Sequence, residues 1–316
     1  MSAATPLACP ACVSPDVAAT ADDLRRRFLS ASPFAHCVID DFLAEPWARS
    51  LLAEFPDFER GDALNEDGRP AGKSVVQRIR GLGGTYARLD DCVQTPEFLE
   101  LVGRITGIPG LLYDADYFGG GTHDNRHGQS LDQHIDFNYH PSAGWHRRLN
   151  LIVYLNREWE PGWGGALELH RDPHDPGADE VVRIQLAYNR CVIFETTEHS
   201  WHGFDRIELP EDRRASTSRK SVAFYFYTRE RPGEQVTPRH STIYVDRPLP
   251  THLVPGRTLT TRDHGELLHL LSRRDSHIRR LYSEIEQLQA RLDQSAIGQL
   301  IAGARRMLRR LRTGRR

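Results

Sequence analysis

The chain predicts a mainly β domain with flanking helices, built as a sandwich or jelly roll and followed by a long C-terminal helix. Three observations predict it. Between about 111 and 245, short apolar or alternating runs recur, bounded by glycine- and proline-rich turns. Ahead of them, amphipathic helical stretches are separated by polar loops. After residue 264, apolar residues return at seven-residue spacing.

At 316 residues the chain is long enough for one sizeable catalytic domain with appendages. A formal net charge of −2 exerts no global pull towards nucleic acid or membrane. No run approaches the roughly 18–20 apolar residues that a bilayer span requires. The opening stretch lacks a basic n-region and an apolar h-region, so a cytoplasmic setting is expected.

Residues 1–20 are small, alanine- and proline-rich, and are expected to be a disordered leader. Cys9 and Cys12 form a CxxC there, but no second pair follows at zinc-ribbon distance and no βαβ pattern surrounds it. With Cys37, Cys92 and Cys191 they make an odd, scattered set, unlike a disulfide framework. The catalytic domain is placed at 21–246. A helix opens near Asp22 with acidic residues in its first turn, and Cys37–Leu43 reads as a strand running into a turn. Pro46 suits the first position of a helix over Trp47–Phe55, and residues 59–74 read as a surface loop. Thr95-Pro96 starts another helix that ends near Gly107.

The expected strands are Leu111–Phe118, Gln133–Phe137, Leu149–Leu155, Ala166–His170, Val181–Leu186, Cys191–Glu195, Lys220–Thr228 and Thr242–Val245. Many short strands at this spacing argue against a parallel α/β sheet. Nucleotide-binding and nucleophile-elbow motifs are missing, which removes the usual signals of dinucleotide, nucleoside triphosphate and serine-hydrolase chemistry.

A linker at 247–264 leads to a C-terminal segment, 265–316. Leu271, Ile278, Ile285 and Leu292 fall every seven residues, with Leu267, Leu281 and Leu288 in the interleaved series. Residues 265–295 therefore read either as a coiled coil for homo-oligomer formation or as one amphipathic helix lying on the domain. The last twelve residues hold seven arginines. That end suits contact with an anionic membrane or nucleic acid, or is simply a solvated basic tail.

The chemistry concentrates in three places. His134 and Asp136 sit two apart in an expected strand, so their side chains share a face. His199 and His202 lie beyond the buried run Cys191–Glu195, and a distant histidine added to HxD makes a 2-His-1-carboxylate set with open coordination positions. Arg219 opens a strongly apolar strand, where an unpaired charge is costly unless it meets an anion. His123, His127, His140, His146, His170 and His174 read as loop histidines. Phe137, Tyr139, Trp145, Trp159 and Trp163 flank the motifs, either as packing or as a substrate groove.

In this order, HxD, a distal histidine and an arginine opening the next strand, the stretch 111–230 resembles the Fe(II)- and 2-oxoglutarate-dependent dioxygenases. Within them it is similar to the prolyl 4-hydroxylase-type branch. Leu149–Asn156 and Gly164–Leu169 carry the likeness too. The resemblance implies a double-stranded β-helix (jelly roll) with His134, Asp136 and His202 as iron ligands. It makes Arg219 the residue that grips the distal carboxylate of 2-oxoglutarate, with Tyr154 assisting. The gap from His202 to Arg219 is longer than the family's, so Arg213 or Arg214 stays an alternative. Fe(2+), 2-oxoglutarate as cosubstrate, O2 and ascorbate as reductant are implied. The presence of Asp136, which related halogenases lack, implies hydroxylation of a protein, peptide or small-molecule substrate. A cupin-like zinc enzyme and a non-enzymatic binding module are the competing readings.

Overall fold

The computed structural model describes residues 9–61, 74–175, 177–245, 249–250 and 252–294. It divides into two units, Met1–Val245 and Asp246–Arg316. In the first, five helices accompany two antiparallel sheets: α1 (Pro15–Ala19), α2 (Ala21–Ser30), α3 (Glu45–Ala53), α4 (Gly84–Val93) and α5 (Pro96–Thr106). The strands are β1 (His36–Ile39), β2 (Ser74–Val76), β3 (Leu112–Tyr113), β4 (Gly121–Asn125), β5 (Leu131–Ile135), β6 (His146–Tyr154), β7 (Leu167–His170), β8 (Val181–Ile184), β9 (Cys191–Glu195), β10 (Trp201–Phe204), β11 (Arg219–Thr228) and β12 (Ile243–Tyr244). The larger sheet runs β1-β9-β6-β11-β4-β2, with β3 also paired to β11; the smaller runs β12-β5-β10-β7-β8.

Alternation along the strands sorts side chains between two layers. Leu149, Leu151 and Val153 of β6, Ile193 of β9, and Val222, Phe224 and Phe226 of β11 join the core formed with the helices. The opposite faces of the same strands turn between the sheets. There Tyr154, Val192 and Phe194 pack against Leu167, Leu169, Ile184 and Leu186. The site lies between the sheets, with its candidate ligands on the smaller one.

Local sequence explains α5 well. The Thr95 hydroxyl accepts from the Phe98 N–H, Pro96 occupies the first turn, and Gly107 closes the end at φ +77°. Phe98, Leu101, Val102 and Ile105 form its buried stripe. Helix α4 was not expected because its cap lies elsewhere in the chain: Glu54 accepts from the Thr85 N–H at 2.9 Å. Residues 62–73 of the expected loop lie outside the described residues, and β2 begins directly after them.

The expected leader is corrected over residues 9–20. Cys12 and Val13 are buried, and Val17 and Ala21 extend the same core. Cys12 is disulfide-bonded to Cys92 of α4, eighty positions away. The reading of the cysteines as unlike a disulfide framework misses this bond, because spacing in sequence does not reveal which cysteines the fold brings together. Cys9 stays exposed as a thiol.

The second unit holds α6 (Thr261–Gln294). It starts four residues before the expected 265 because Thr260 and Asp263 cap one another. The Thr260 hydroxyl accepts from the Asp263 N–H at 3.2 Å, and the Asp263 carboxylate accepts from the Thr260 N–H at 2.9 Å. Leu271, Ile278, Leu281 and Ile285 are 45–56% exposed. Residues 295–316, including the basic tail, lie outside the described residues. Among the described residues, no helix is long and apolar enough to cross a membrane.

The Cys12–Cys92 bond ties the segment just before α1 to α4 in the helical layer. Cys92→Ser, or reduction of the wild-type chain, is expected to lower unfolding stability by about 2–4 kcal/mol. Urea unfolding with and without reductant measures this, and coincident curves would show that the bond contributes nothing.

Candidate metal centre

Strands β5 and β10 are antiparallel neighbours, and His134 lies directly opposite His202. Both side chains turn between the sheets, and Asp136 follows one residue after β5 ends. The ligand atoms of His134, Asp136 and His202 lie within 4.8 Å of one another. His134 Nε2 is 3.7 Å from one Asp136 oxygen, and His202 Nε2 is 3.5 Å from the other.

Both imidazoles are oriented by backbone carbonyls. His134 Nδ1 bonds the Asp132 carbonyl at 2.7 Å, and His202 Nδ1 bonds the Ser200 carbonyl at 2.9 Å. A donating Nδ1–H makes Nε2 the lone-pair nitrogen, the tautomer that a metal ligand needs. Burial lowers the His202 pKa, which keeps that imidazole neutral and ligand-competent. The residues thus fit a divalent metal held by two imidazoles and one carboxylate.

Burial by itself would raise the Asp136 pKa. The Arg147 guanidinium, the two imidazoles and a hydrogen bond from Asn150 override it and hold the carboxyl well below the usual carboxylate range. Arg147 Nη2 lies 3.0 Å from Asp136, and Asn150 Nδ2 donates to the same oxygen at 2.8 Å. Phe194 packs 4.7 Å from the His202 ring, and Tyr244 of β12 stacks on His134 at 5.1 Å.

Arg219 starts β11 on the same inward side and is 4% exposed. Its Nε donates to the Gly165 carbonyl at 2.8 Å, and an Nη2 proton goes to the Tyr154 hydroxyl at 3.1 Å. Phe204 lies under the guanidinium at 4.2 Å. Burial lowers the Arg219 pKa, and among the described residues no carboxylate offsets the charge. An uncompensated buried cation suits a carboxylate ligand. The alternatives are elsewhere: Arg213 is exposed and paired with Glu158, and exposed Arg214 donates to the Leu209 carbonyl.

His199 is exposed and outside the cluster. The reading of the other histidines as loop residues needs correction. His123, His146 and His170 lie on β4, β6 and β7, and His140 is buried. Asp114, Asp116 and His140 form a second close group. Its chemistry differs, because His140 Nδ1 accepts the Ala143 N–H at 3.0 Å. Nε2 therefore carries the proton and donates to Asp114 at 3.2 Å, which makes a hydrogen-bonded pair. The flanking aromatics do not make one groove. Phe137 lies against Arg147, whereas Trp159 and Trp163 pack with Phe204, Ile207 and Leu209.

Sequence reading missed Arg147, Asn150, Tyr244 and Gly203. A Cβ on Gly203 would stand 2.6 Å from the Leu131 carbonyl oxygen and 3.0 Å from the Gln133 nitrogen. Glycine is what lets the two histidine-bearing strands approach. The one available signal was Arg147-Arg148 inside an apolar strand.

Residues 120–227 match the family model of the 2OG-Fe(II) oxygenase superfamily. No curated protein matches the chain by sequence. Among solved structures, the chain is similar to a prolyl hydroxylase from Trichoplax adhaerens in complex with a hypoxia inducible factor oxygen degradation domain peptide fragment. The identity is 16%, the TM-score 0.45, and the match covers 69% of this chain and 96% of that one. A prolyl 4-hydroxylase from Phytophthora capsici gives 17%, 0.45, 83% and 72%. HygX from Streptomyces hygroscopicus, with nickel, 2-oxoglutarate and hygromycin B bound, gives 14%, 0.43, 67% and 92%. At that distance these likenesses say nothing about substrate.

Gly203→Ala is expected to push β5 from β10 at a cost of about 1–3 kcal/mol and to weaken divalent-metal binding about tenfold. Calorimetric titration with Co(II) measures it. Unchanged affinity would mean that the close approach does not set the ligand spacing.

Proposed function

We propose that this chain, a member of the 2OG-Fe(II) oxygenase superfamily through residues 120–227, is an Fe(II)- and 2-oxoglutarate-dependent dioxygenase that hydroxylates a C–H bond. The observation that carries the reading is Arg219. Arg219 is buried on the inward side of the larger sheet without an acidic partner among the described residues, and the His134–Asp136–His202 cluster is carried by the smaller sheet. A cupin-like zinc site would explain the cluster but would leave that cation without a purpose.

When bound, iron and 2-oxoglutarate supply the oxidising chemistry, in which 2-oxoglutarate and O2 give succinate, CO2 and a hydroxylated substrate. The protein's part is to hold and orient. His134, Asp136 and His202 hold the metal on one side and leave the other open. Arg219 grips the distal carboxylate through its guanidinium, and Tyr154, hydrogen-bonded to it, fixes its rotamer. Leu169, Val192 and Phe194 keep water from the ligands' inward flank. Asp136 favours hydroxylation over halogenation because it fills the coordination position that a halide would need.

For the prime substrate, a peptidyl proline is the first choice, on the similarity of HxD, Leu149–Asn156 and Arg219 to the prolyl 4-hydroxylase-type branch. A small metabolite or glycan-related acceptor is the second. Ascorbate would serve as reductant. For α6, the exposed apolar residues favour self-association of the C-terminal unit.

Purified protein with Fe(II), ascorbate and 2-oxoglutarate is expected to release succinate, and His134→Ala to abolish it. Arg219→Ala should raise the KM for 2-oxoglutarate roughly 30- to 100-fold, the loss of about 2–3 kcal/mol of charge-assisted hydrogen bonding. Absence of both 2-oxoglutarate binding to the Fe-loaded protein and turnover with candidate peptides would sink the reading. Separately, removing residues 261–316 is expected to lower the solution mass to that of a monomer while metal binding persists. Light scattering decides this, and the self-association reading fails if the full-length chain is already monomeric.

A further inference from the structure

Arg147 is 1% exposed, on a strand whose neighbouring positions face an apolar helical layer. Strict alternation would put Arg147 with Leu149 and Leu151, away from the metal centre. The β6–β11 register explains why it is not there. Phe226 pairs with Leu149, but Tyr227 pairs with Arg147, so Arg148 is an extra residue on β6. This bulge reverses the phase of the strand and brings Arg147 to the face of Asn150. The Arg148 side chain leaves for Glu195 and Thr228.

Once inward, the guanidinium is held by two rings and an amide. Phe137 and Tyr225 rings sandwich it at 4.3 and 3.7 Å. Its Nε and Nη2 donate to Asn150 Oδ1 at 3.3 and 2.7 Å, while Nη1 is buried without a hydrogen-bond partner among the described residues. Arg147 Nη2 and Asn150 Nδ2 then converge on Oδ2 of Asp136. An ion pair this buried gives little net stability relative to apolar residues of the same volume. Its value must be sought in what it orients.

Resting on the dioxygenase reading above, we propose that Arg147 and Asn150 are positioning residues for Asp136. Together they occupy Oδ2, so that the carboxylate offers the metal a single oxygen, Oδ1, in a fixed orientation. The bulge at Arg148 is the sequence device that assembles the pair.

The test uses full-length protein and Co(II), whose visible absorption reports coordination geometry and whose titration gives affinity. The variants are Arg147→Gln, Arg147→Lys and Asn150→Ala. Arg147→Gln and Asn150→Ala are expected to bind Co(II) 10- to 100-fold more weakly than wild type, with altered visible bands. Arg147→Lys, which keeps the charge but loses the planar fork, is expected to recover only part of the affinity. If Arg147→Gln does not fold, Asn150→Ala decides, since it removes one donor and leaves Arg147 in place. Wild-type affinity and bands in the folded variants overturn the proposal, as does tighter binding. Wild-type protein that binds Co(II) but never turns over 2-oxoglutarate sinks the dioxygenase reading while the Co(II) result still judges this one. Wild-type protein that binds no Co(II) overturns both.

Discussion

The separation of β5 and β10 is the constraint on which the rest of the site depends. His134 and His202 face each other only because the strands pair at that register, and they sit close only because residue 203 has no side chain. The carbonyl bonds to each Nδ1 come from residues two positions earlier on the same chain segments. The strand approach therefore sets ring position, ring orientation and tautomer together. The larger sheet, with five helices packed behind it, supplies a rigid wall, and the smaller sheet supplies the ligands.

Two buried arginines flank this pair of strands, and their surroundings divide their roles. Arg219 has carbonyl and hydroxyl acceptors and, among the described residues, no carboxylate to offset its charge. Arg147 is matched to Asp136 and cradled by aromatic rings, so its charge is used internally. Desolvation acts on both, which is why a partner, from outside or inside, is required in each case.

Much of this was legible in sequence. Short apolar or alternating runs bounded by turn residues marked β5 to β9 and β11, because the burial of these strands is written into their own residues. HxD spacing placed His134 and Asp136 on one face without any tertiary information. Other features depended on partners far along the chain. Helix α4 borrows its cap from Glu54, β2 and β4 acquire strand character by pairing with each other, and Cys12 meets Cys92 only after the helices pack. Arg147 shows the limit most clearly, since simple alternation assigns it to the wrong face and only the register with β11 reveals the inserted residue.

The Cys12–Cys92 bond also changes the chain's topology. It closes a covalent ring that contains β1, α2, α3, β2 and the stretch 62–73. A protease that cuts once anywhere inside that ring leaves two polypeptides that remain one molecule. The helical wall behind the ligand-bearing sheets thus stays attached in a nicked chain, and the break is invisible on a gel until the sulfurs are reduced.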